Sequence, residues 1–585
     1  MEKVIIVGGG VAGMSAAHEL AERGFSVEVY EHNKSYCGGK ARSVNVPDTG
    51  SDGRRPLPGE HGFRFFPGFY KHVTDTMKRI PFGKKKSVFD NLVSTETTTL
   101  GRHGKKPFQV LSHFPRSIKQ AESLVHDLMG TNLGFTEEEK TFFGQRVWQL
   151  MTSCKERRIN EYEGLGWWEY LQADRFSDTY RSLLVEGLTR TLVAAKAKSA
   201  STKTGGDIFL QLIFNTLDPF VDTDRVLNAP TNDAWLTPWL QHLTETLGVN
   251  YQFECTAKEI VMSGRTIDYI MIQKSGDEAI KVKGDYYIFA VPVERMAPLI
   301  NKQMLDIDET LGSIQKLAPS VSWMNGLQVY LNEDIKISRG HVICSDSKWA
   351  ITCISQPQFW PDIDLTKYGD GRVKGIISID ISDWFAKGSK GETAAQSTKE
   401  EIYKEVWHQL KDSLNTKEKV ILTNDMVVDW YLDSDIVNTN KPHPSSVQPG
   451  KQEYSFDREP LLVNRVNTWT LRPLAYTFID NLFLASDYVK TNTDLATMEG
   501  ANEAARRAVN AIIQRSGGNQ ALCKIWDLHE PWFLMPFRRA DNRRFKKGLP
   551  WHHKKSVLTS ILVAIAHSFI KVAGIFKKNP KKTAH

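Results

Sequence analysis

The first 31 residues place the tightest constraint on the fold. An apolar run, Lys3–Val7 (KVIIV), leads without a break into Gly8-Gly9-Gly10-Val11-Ala12-Gly13 and then into a helical stretch, MSAAHELAERG. A short, unbroken apolar run suits a strand buried in a parallel sheet. Gly8 then permits a tight turn, Gly10 lets backbone approach a pyrophosphate, and Gly13 lets the helix pack closely on the strand. Phosphates so placed face the free N–H groups at the helix N-terminus, around Val11 and Ala12. A second strand, Phe25–Tyr30, ends in Glu31, 18 residues beyond Gly13, where the ribose hydroxyls need an acceptor. Strand, glycines, helix, strand and terminal acid together predict a dinucleotide-binding βαβ unit and an α/β fold of Rossmann type.

A chain of 585 residues is too long for one ordinary core, so two or three domains are expected. With 41% hydrophobic and 24% charged residues, the composition is that of a globular protein. The six cysteines are scattered without a CxxC pair, which argues against a zinc site or a disulfide framework and fits a reducing compartment. A strand-plus-glycine motif beginning at once leaves no signal peptide to be expected, and a cytoplasmic location follows.

After Glu31 the chain reads HNKSYCGGKARS. Gly38 and Gly39 let this loop lie against the pyrophosphate, and Lys40 and Arg42 bring positive charge to it. The segment Gly38-Gly39-Lys40-Ala41-Arg42 resembles the GG-R-x-x element of the flavin amine oxidase and phytoene desaturase superfamily. Glu60–Gly68 (EHGFRFFPG) resembles the superfamily's acid-x-Gly segment, which runs under the isoalloxazine ring. The resemblance implies FAD as cofactor, with Gly62, Phe63 and Arg64 near the ring. His61 and Arg64 are candidate acid–base groups, with a flavin-positioning role as the alternative.

Far downstream, Asn481–Ala485 (NLFLA) precedes Ser486-Asp487, and Met498-Glu499-Gly500-Ala501 opens a helix. This is similar to the superfamily's closing motif, LFLAGD followed by EGA, with Ser486 in place of the glycine. By resemblance, Asp487 bonds the ribityl or phosphate region. The helix starting at Met498 and Glu499 aims its positive end at the flavin N1–C2=O locus. Between the two motifs, an amphipathic helix at Asp233–Gly248 and strands reaching Val291-Pro292 resemble the superfamily's helix, β-meander and return strand. They imply that backbone near Ala257 lies against the adenine. The region before the closing motif has no cysteine for covalent attachment, so the FAD is expected to be non-covalent.

These motifs imply a discontinuous FAD-binding domain over residues 1–78, 228–300 and 471–515. Residues 79–227 and 301–470 then supply an α+β substrate domain, its first part helical in pattern and its second containing strands at Trp323–Leu331 and Gly375–Ile381. Residues 516–585 form a basic C-terminal membrane-association segment. No nucleophile, triad or metal cluster stands out, and none is needed where hydride passes to a flavin. Two departures from the amine oxidases narrow the substrate. Thr497 stands where monoamine oxidases carry a cage aromatic, and Trp323–Tyr330, which resembles their lysine-bearing strand, has no lysine. The carotenoid-desaturase branch is therefore the better relative. The expected activity is FAD-dependent desaturation, oxidation or isomerisation of a long apolar lipid, isoprenoid or fatty-acyl, by hydride transfer to flavin, with oxygen or a quinone as electron acceptor. The alternatives are an amine oxidase that produces peroxide and a non-catalytic, FAD-stabilised membrane protein.

Between Arg538 and Lys582 lie thirteen Lys and Arg against the single acid Asp541, while the rest of the chain is slightly acidic. Within that segment Ser556–Ile570 is 15 residues without a formal charge, short of the roughly 20 apolar residues of a spanning helix. A basic amphipathic helix lying on an anionic membrane surface is expected. The tail lacks interleaved aromatics or a reading module, so nucleic acid is not expected as a partner.

Overall fold

Val4, Ile5 and Ile6 are fully buried, and they fix the centre of a five-stranded parallel sheet. The computed structural model describes residues 1–62, 64–112, 134–187, 196–216, 218, 220–438 and 455–552. Strand β1 (Lys3–Val7) pairs in parallel with β2 (Ser26–Tyr30) on one side and with Tyr286–Phe289 on the other. Asn250–Gln252 extends the sheet beyond β2, and Leu482–Leu484 extends it beyond Tyr286–Phe289. Burying each such Val or Ile contributes about 1.5–3 kcal/mol, so the sheet's centre is also its energetic anchor.

Helix α1 (Val11–Ala21) connects β1 to β2, and the long helix Met498–Ser516, the closing helix, packs along it. Buried polar contacts join these distant parts of the chain. Asn502 Nδ2 donates to Ser15 Oγ (2.8 Å) and to Thr76 Oγ1 (3.0 Å), and Arg506 lies 3.2 Å from Glu19. Residues Asn232–Thr246 are helical, burying Trp235, Leu236, Trp239 and Leu243. The meander that follows is antiparallel, with strands Cys255–Ser263, Thr266–Lys274 and Ile280–Val282.

A second sheet has seven strands, in the order Val427–Leu432, Asn325–Leu331, Gly375–Ile381, Ile351–Ser355, Val342–Cys344, Thr97–Arg102 and Lys105–Leu111. Helix Lys399–Leu414 covers it, burying Ile402, Val406, Trp407 and Leu410. The last two strands qualify the expectation that residues 79–227 are helical in pattern. Three β-branched threonines, Thr97 to Thr99, and a Gly104 turn at φ +62° form a hairpin that docks on Val342–Cys344. Among the described residues between 134 and 216 lies a helical block that includes Glu137–Thr152 and Thr202–Thr216.

The basic helix Met535–Phe545 lies against this block. Its acid, Asp541, is buried, pairs with Arg157 Nε at 3.0 Å and accepts from Cys154 N at 2.9 Å. Arg538 Nε donates to Met151 O at 2.9 Å. The predicted apolar helix at Ser556–Ile570 lies outside the described residues, as does Phe63. Among the described residues, no helix is long and apolar enough to cross a membrane.

Candidate cofactor and substrate site

The glycine turn has the geometry that a dinucleotide requires. Gly8 has φ +100°, and a Cβ there would lie 2.6 Å from Ala290 O. No side chain caps α1 at Gly10, so the first N–H groups of the helix remain available to an anion. Gly39, at φ +57°, passes close enough to Gly10 that its Cβ would meet Gly10 Cα at 3.2 Å. Gly13 does not line the cavity. Its Cβ would sit 1.9 Å from Gly8 O, so this glycine sets the strand-to-helix distance rather than touching a ligand.

At the end of β2 the Glu31 carboxylate is buried and oriented by two backbone donors, Gly9 N to Oε2 (2.6 Å) and Asn33 N to Oε1 (2.7 Å). Burial raises its pKa despite these bonds. Tyr251 Oη donates to Gly9 O at 2.9 Å and braces the same turn.

These groups open onto a cavity of about 1930 Å3. A single small-ligand pocket occupies roughly 300–1000 Å3, so there is room for a dinucleotide and a second molecule. Gly8, Gly10, Val11, Ala12, Glu31 and Ala257 all line it. So do Gly38, Gly39, Lys40, Arg42, His61, Gly62, Arg64, Asp487 and Met498. An uncapped helix N-terminus, a glycine cradle and a buried acceptor at the strand end fit the FAD that the sequence implies.

Two expectations change. The positive charge of the Lys40–Arg42 loop is matched within the protein: Arg42 Nη2 lies 2.5 Å from Asp435 Oδ2, and Lys40 Nζ donates to Pro460 O at 2.5 Å with Glu294 at 3.8 Å. Lys40 and Arg42 still line the cavity, but the uncapped N–H groups at the start of α1 are the donors there without a side-chain partner. Arg64 donates to Lys40 O (2.6 Å) and Ala41 O (3.3 Å), and so holds this loop in place. The second change concerns Glu499, which does not line the cavity. Its carboxylate accepts from Lys71, His72 and Val73 N and from the His72 ring, capping the helix His72–Arg79.

The rest of the cavity is a largely apolar chamber. Leu100 and Val110 from the hairpin, Phe209, Leu212 and Ile213 from the helix Thr202–Thr216, and Ile343 form its walls. Met324 lines it in the segment where a lysine is absent, and Thr497, the N-cap of the closing helix, lines it where an aromatic is absent. The wall also carries charged groups, among them Asp380 and the pair His341 Nδ1 to Asp224 Oδ2 at 2.7 Å, and hydroxyls such as Thr98, Thr223 and Thr352.

His61 acquires partners that the sequence did not indicate. Its Nδ1 lies 2.6 Å from Asp433 Oδ2 and 3.3 Å from Asp435 Oδ2. Among the described residues, these three could geometrically hold a metal ion, but Arg42 already places a permanent cation on Asp435. The group is therefore an ion-pair cluster. Only an Asp-Ser-Asp following a strand marks it in the sequence, and that pattern is too common to have been selected.

The fold and cradle agree with comparisons against known proteins. Residues 11–513 match the family model described as flavin containing amine oxidoreductase. A stretch of 70 residues is 40% identical to the carotenoid phi-ring synthase of Chlorobaculum tepidum, covering 12% of this chain and 10% of that protein's length. Among solved structures, a putrescine oxidase with putrescine bound superposes with a TM-score of 0.57 at 12% identity, over 88% of this chain and 99% of the other. The cyclohexylamine oxidase of Brevibacterium oxydans gives 0.56 at 12% identity, over 88% and 99%. An oxidoreductase from Methanosarcina mazei gives 0.55 at 12% identity, over 88% and 100%. At such identities the superpositions speak for the fold, and the family match speaks for the chemistry. With FAD as its cofactor, this oxidoreductase belongs to the flavin containing amine oxidoreductase family.

Proposed function

We propose that the protein oxidises, desaturates or isomerises a long apolar lipid, isoprenoid-like or fatty-acyl, at an anionic membrane surface. The observation that carries this reading is the apolar chamber, continuous with the FAD cradle and walled by Leu100, Val110, Phe209, Leu212, Ile213 and Ile343. Bound FAD supplies the two-electron acceptor. The chain's own contribution is to align an extended hydrocarbon against it and to exclude water, which apolar walls do by offering no hydrogen bonds. Met324 and Thr497 provide neither a lysine amine nor an aromatic cage for an amine. The carotenoid-modifying relative supports the reading over its short match.

The C-terminal helix supports the membrane part. Trp532 (80% exposed), Phe533 and Met535 precede Arg539, Arg543, Lys546 and Lys547, all exposed, while Asp541 faces inward. Each basic residue near an anionic leaflet contributes about 1 kcal/mol, and exposed aromatics suit the headgroup region. A second reading, amine oxidation with peroxide release, is kept by the Asp380 and Asp224 carboxylates on the chamber wall, which could hold an ammonium group.

Anaerobic addition of membrane lipid extract to the flavin-loaded protein tests the proposal. Bleaching of the flavin absorbance is the result expected for oxidation or desaturation, whereas isomerisation, which has no net redox change, is read as an altered lipid recovered with the flavin unbleached. Bleaching by amines but not by lipid would transfer the assignment to the second reading. Leu212→Trp fills the chamber from the helix Thr202–Thr216, and the lipid-driven bleaching rate should fall at least about tenfold with flavin content unchanged, a loss on the order of 1.4 kcal/mol of transition-state stabilisation. An unchanged rate would mean that the substrate lies elsewhere.

A further inference from the structure

The cavity wall carries a buried charge cluster that the proposed function does not use. His61, Asp433 and Asp435 are 7%, 2% and 9% exposed. Behind them, Asn325 Nδ2 donates to Asp433 Oδ2 at 3.0 Å and lies 3.4 Å from Asp457 Oδ1. The backbone brings the two residues to one place. Gly326 N donates to His61 O at 2.6 Å, and a Cβ on Gly326 would fall 2.8 Å from that same oxygen. Asp433 N in turn donates to Gly326 O at 3.0 Å. Gly326, in the strand Asn325–Leu331, therefore holds the main chains of both His61 and Asp433, whose side chains meet at 2.6 Å.

An imidazole this deeply buried would normally be neutral, because removing a charge from water is costly. Burial does lower the His61 pKa, but the Asp433 carboxylate, with help from Asp435, reverses this and pushes it up to about 9. Asp435 is drawn well below the carboxylate range by His61 and Arg42 against its own burial, while burial pushes Asp457 up to about 7. At neutral pH, His61 and Arg42 thus balance Asp433 and Asp435. Other ionisable groups nearby are Arg64, Asp380, whose Oδ1 a Cβ on Gly62 would meet at 2.7 Å, Asp457, and Glu60, which burial pushes up to about 7. Without the His61 proton, the Asp433 and Asp435 carboxylates of this cluster would be matched by the Arg42 guanidinium alone, and Asp435 lines the cavity.

We propose that His61, clamped by Asp433, is a fixed cation on the cavity wall that stabilises the reduced, more negative form of the bound FAD. It sets the cofactor's potential and transfers no proton. Charge placed beside a flavin is one of the main ways a protein tunes its electronics, and a pre-paired cation needs no reorganisation when the electrons arrive. The inference rests on the FAD assignment and deepens it. It also explains why an otherwise expensive buried ion pair stands beside Gly62.

The test is the midpoint potential of the flavin-loaded protein, measured against reporter dyes from about pH 6 to about pH 10. The native protein should show an inflection near pH 9, where His61 loses its proton. His61→Gln should lower the potential at neutral pH and abolish the inflection. Asp433→Asn should move the inflection down toward the ordinary imidazole range, and His61→Lys should restore a high potential. Potentials in His61→Gln and Asp433→Asn equal to the native values across the range would overturn the proposal. Should a variant lose its flavin, the NMR titration of the His61 ring in the native and Asp433→Asn proteins, both freed of flavin, decides instead. A ring that titrates in the ordinary range in the native chain would overturn the clamp. A native protein that takes up no flavin would overturn the FAD assignment itself, leaving the ring titration to judge the clamp separately.

Discussion

Gly13→Ala protein is expected to purify without flavin and to melt below the native protein. The added methyl group would lie 1.9 Å from Gly8 O and 3.4 Å from Ile6 Cγ2. The near contact is backbone, so no rotamer change can relieve it, and α1 has to move away from β1. That displacement carries off the helix N-terminus, whose uncapped N–H groups have no side-chain partner and are open to the pyrophosphate. It also disturbs the most buried part of the molecule, where Val4, Ile5 and Ile6 have no exposure. Overpacking of this kind typically costs about 1–3 kcal/mol before any loss of bound cofactor is counted. Gly144→Ala is the control. It lies inside the helix Glu137–Thr152 with open space around it, and alanine there should be neutral or stabilising by up to about 1 kcal/mol. The ratio of flavin to protein absorbance, read with a thermal melt, checks both. Full flavin content in Gly13→Ala would mean that the turn does not hold the cofactor.

That glycine was legible in the sequence because its role is local: strand, turn and helix are consecutive, and the spacing of Gly8, Gly10 and Gly13 encodes the geometry directly. The same is true of Glu31 and of the Gly38–Arg42 loop. What the sequence does not carry is the identity of partners brought in from far away. His61 could be noticed, but Asp433 and Asp435 arrive from a loop more than 350 residues later, held there by the pairing of Asn325–Leu331 with its neighbours. The sequence does not mark the hairpin Thr97–Leu111, for a different reason. Its apolar faces are thin, since Lys105, Lys106 and the threonines dilute the alternation, and its place is set by Val342–Cys344 rather than by its own pattern. In the basic segment nothing in the sequence singles out the lone acid, yet Asp541 is the residue that pairs the helix with Arg157. Burial separates the two readings of a charged residue, and sequence does not report burial.

Glu499 is the sharpest such case, and its replacement by alanine is expected to destabilise the protein by about 3–5 kcal/mol, the range for breaking a buried, hydrogen-bonded charge. The carboxylate is 1% exposed. Oε1 accepts from Lys71 N (2.7 Å), His72 N (2.8 Å) and His72 Nδ1 (2.7 Å), and Oε2 accepts from Val73 N (2.9 Å). The helix His72–Arg79 has no side-chain cap of its own, since Lys71 stands at its N-cap position. Its cap is supplied by a residue from the other end of the chain, with the dipole favouring a negative charge there. On its far side the His72 ring accepts from Trp526 N through Nε2 at 3.0 Å, so Nδ1 carries the proton given to Glu499 and a single tautomer serves both contacts. Alanine leaves three backbone donors and the ring unpaired in a dry interior, whereas Glu499→Gln keeps one acceptor oxygen and should lose roughly half as much. Flavin content should fall in step with stability, because Thr497 and Met498, the two residues before Glu499, line the cavity. Chemical denaturation of the three proteins measures the cost. An unfolding free energy for Glu499→Ala within about 0.5 kcal/mol of native, the range of an ordinary surface substitution, would mean that water reaches these donors and that the Glu499 cap adds nothing to the joining of the two ends of the chain.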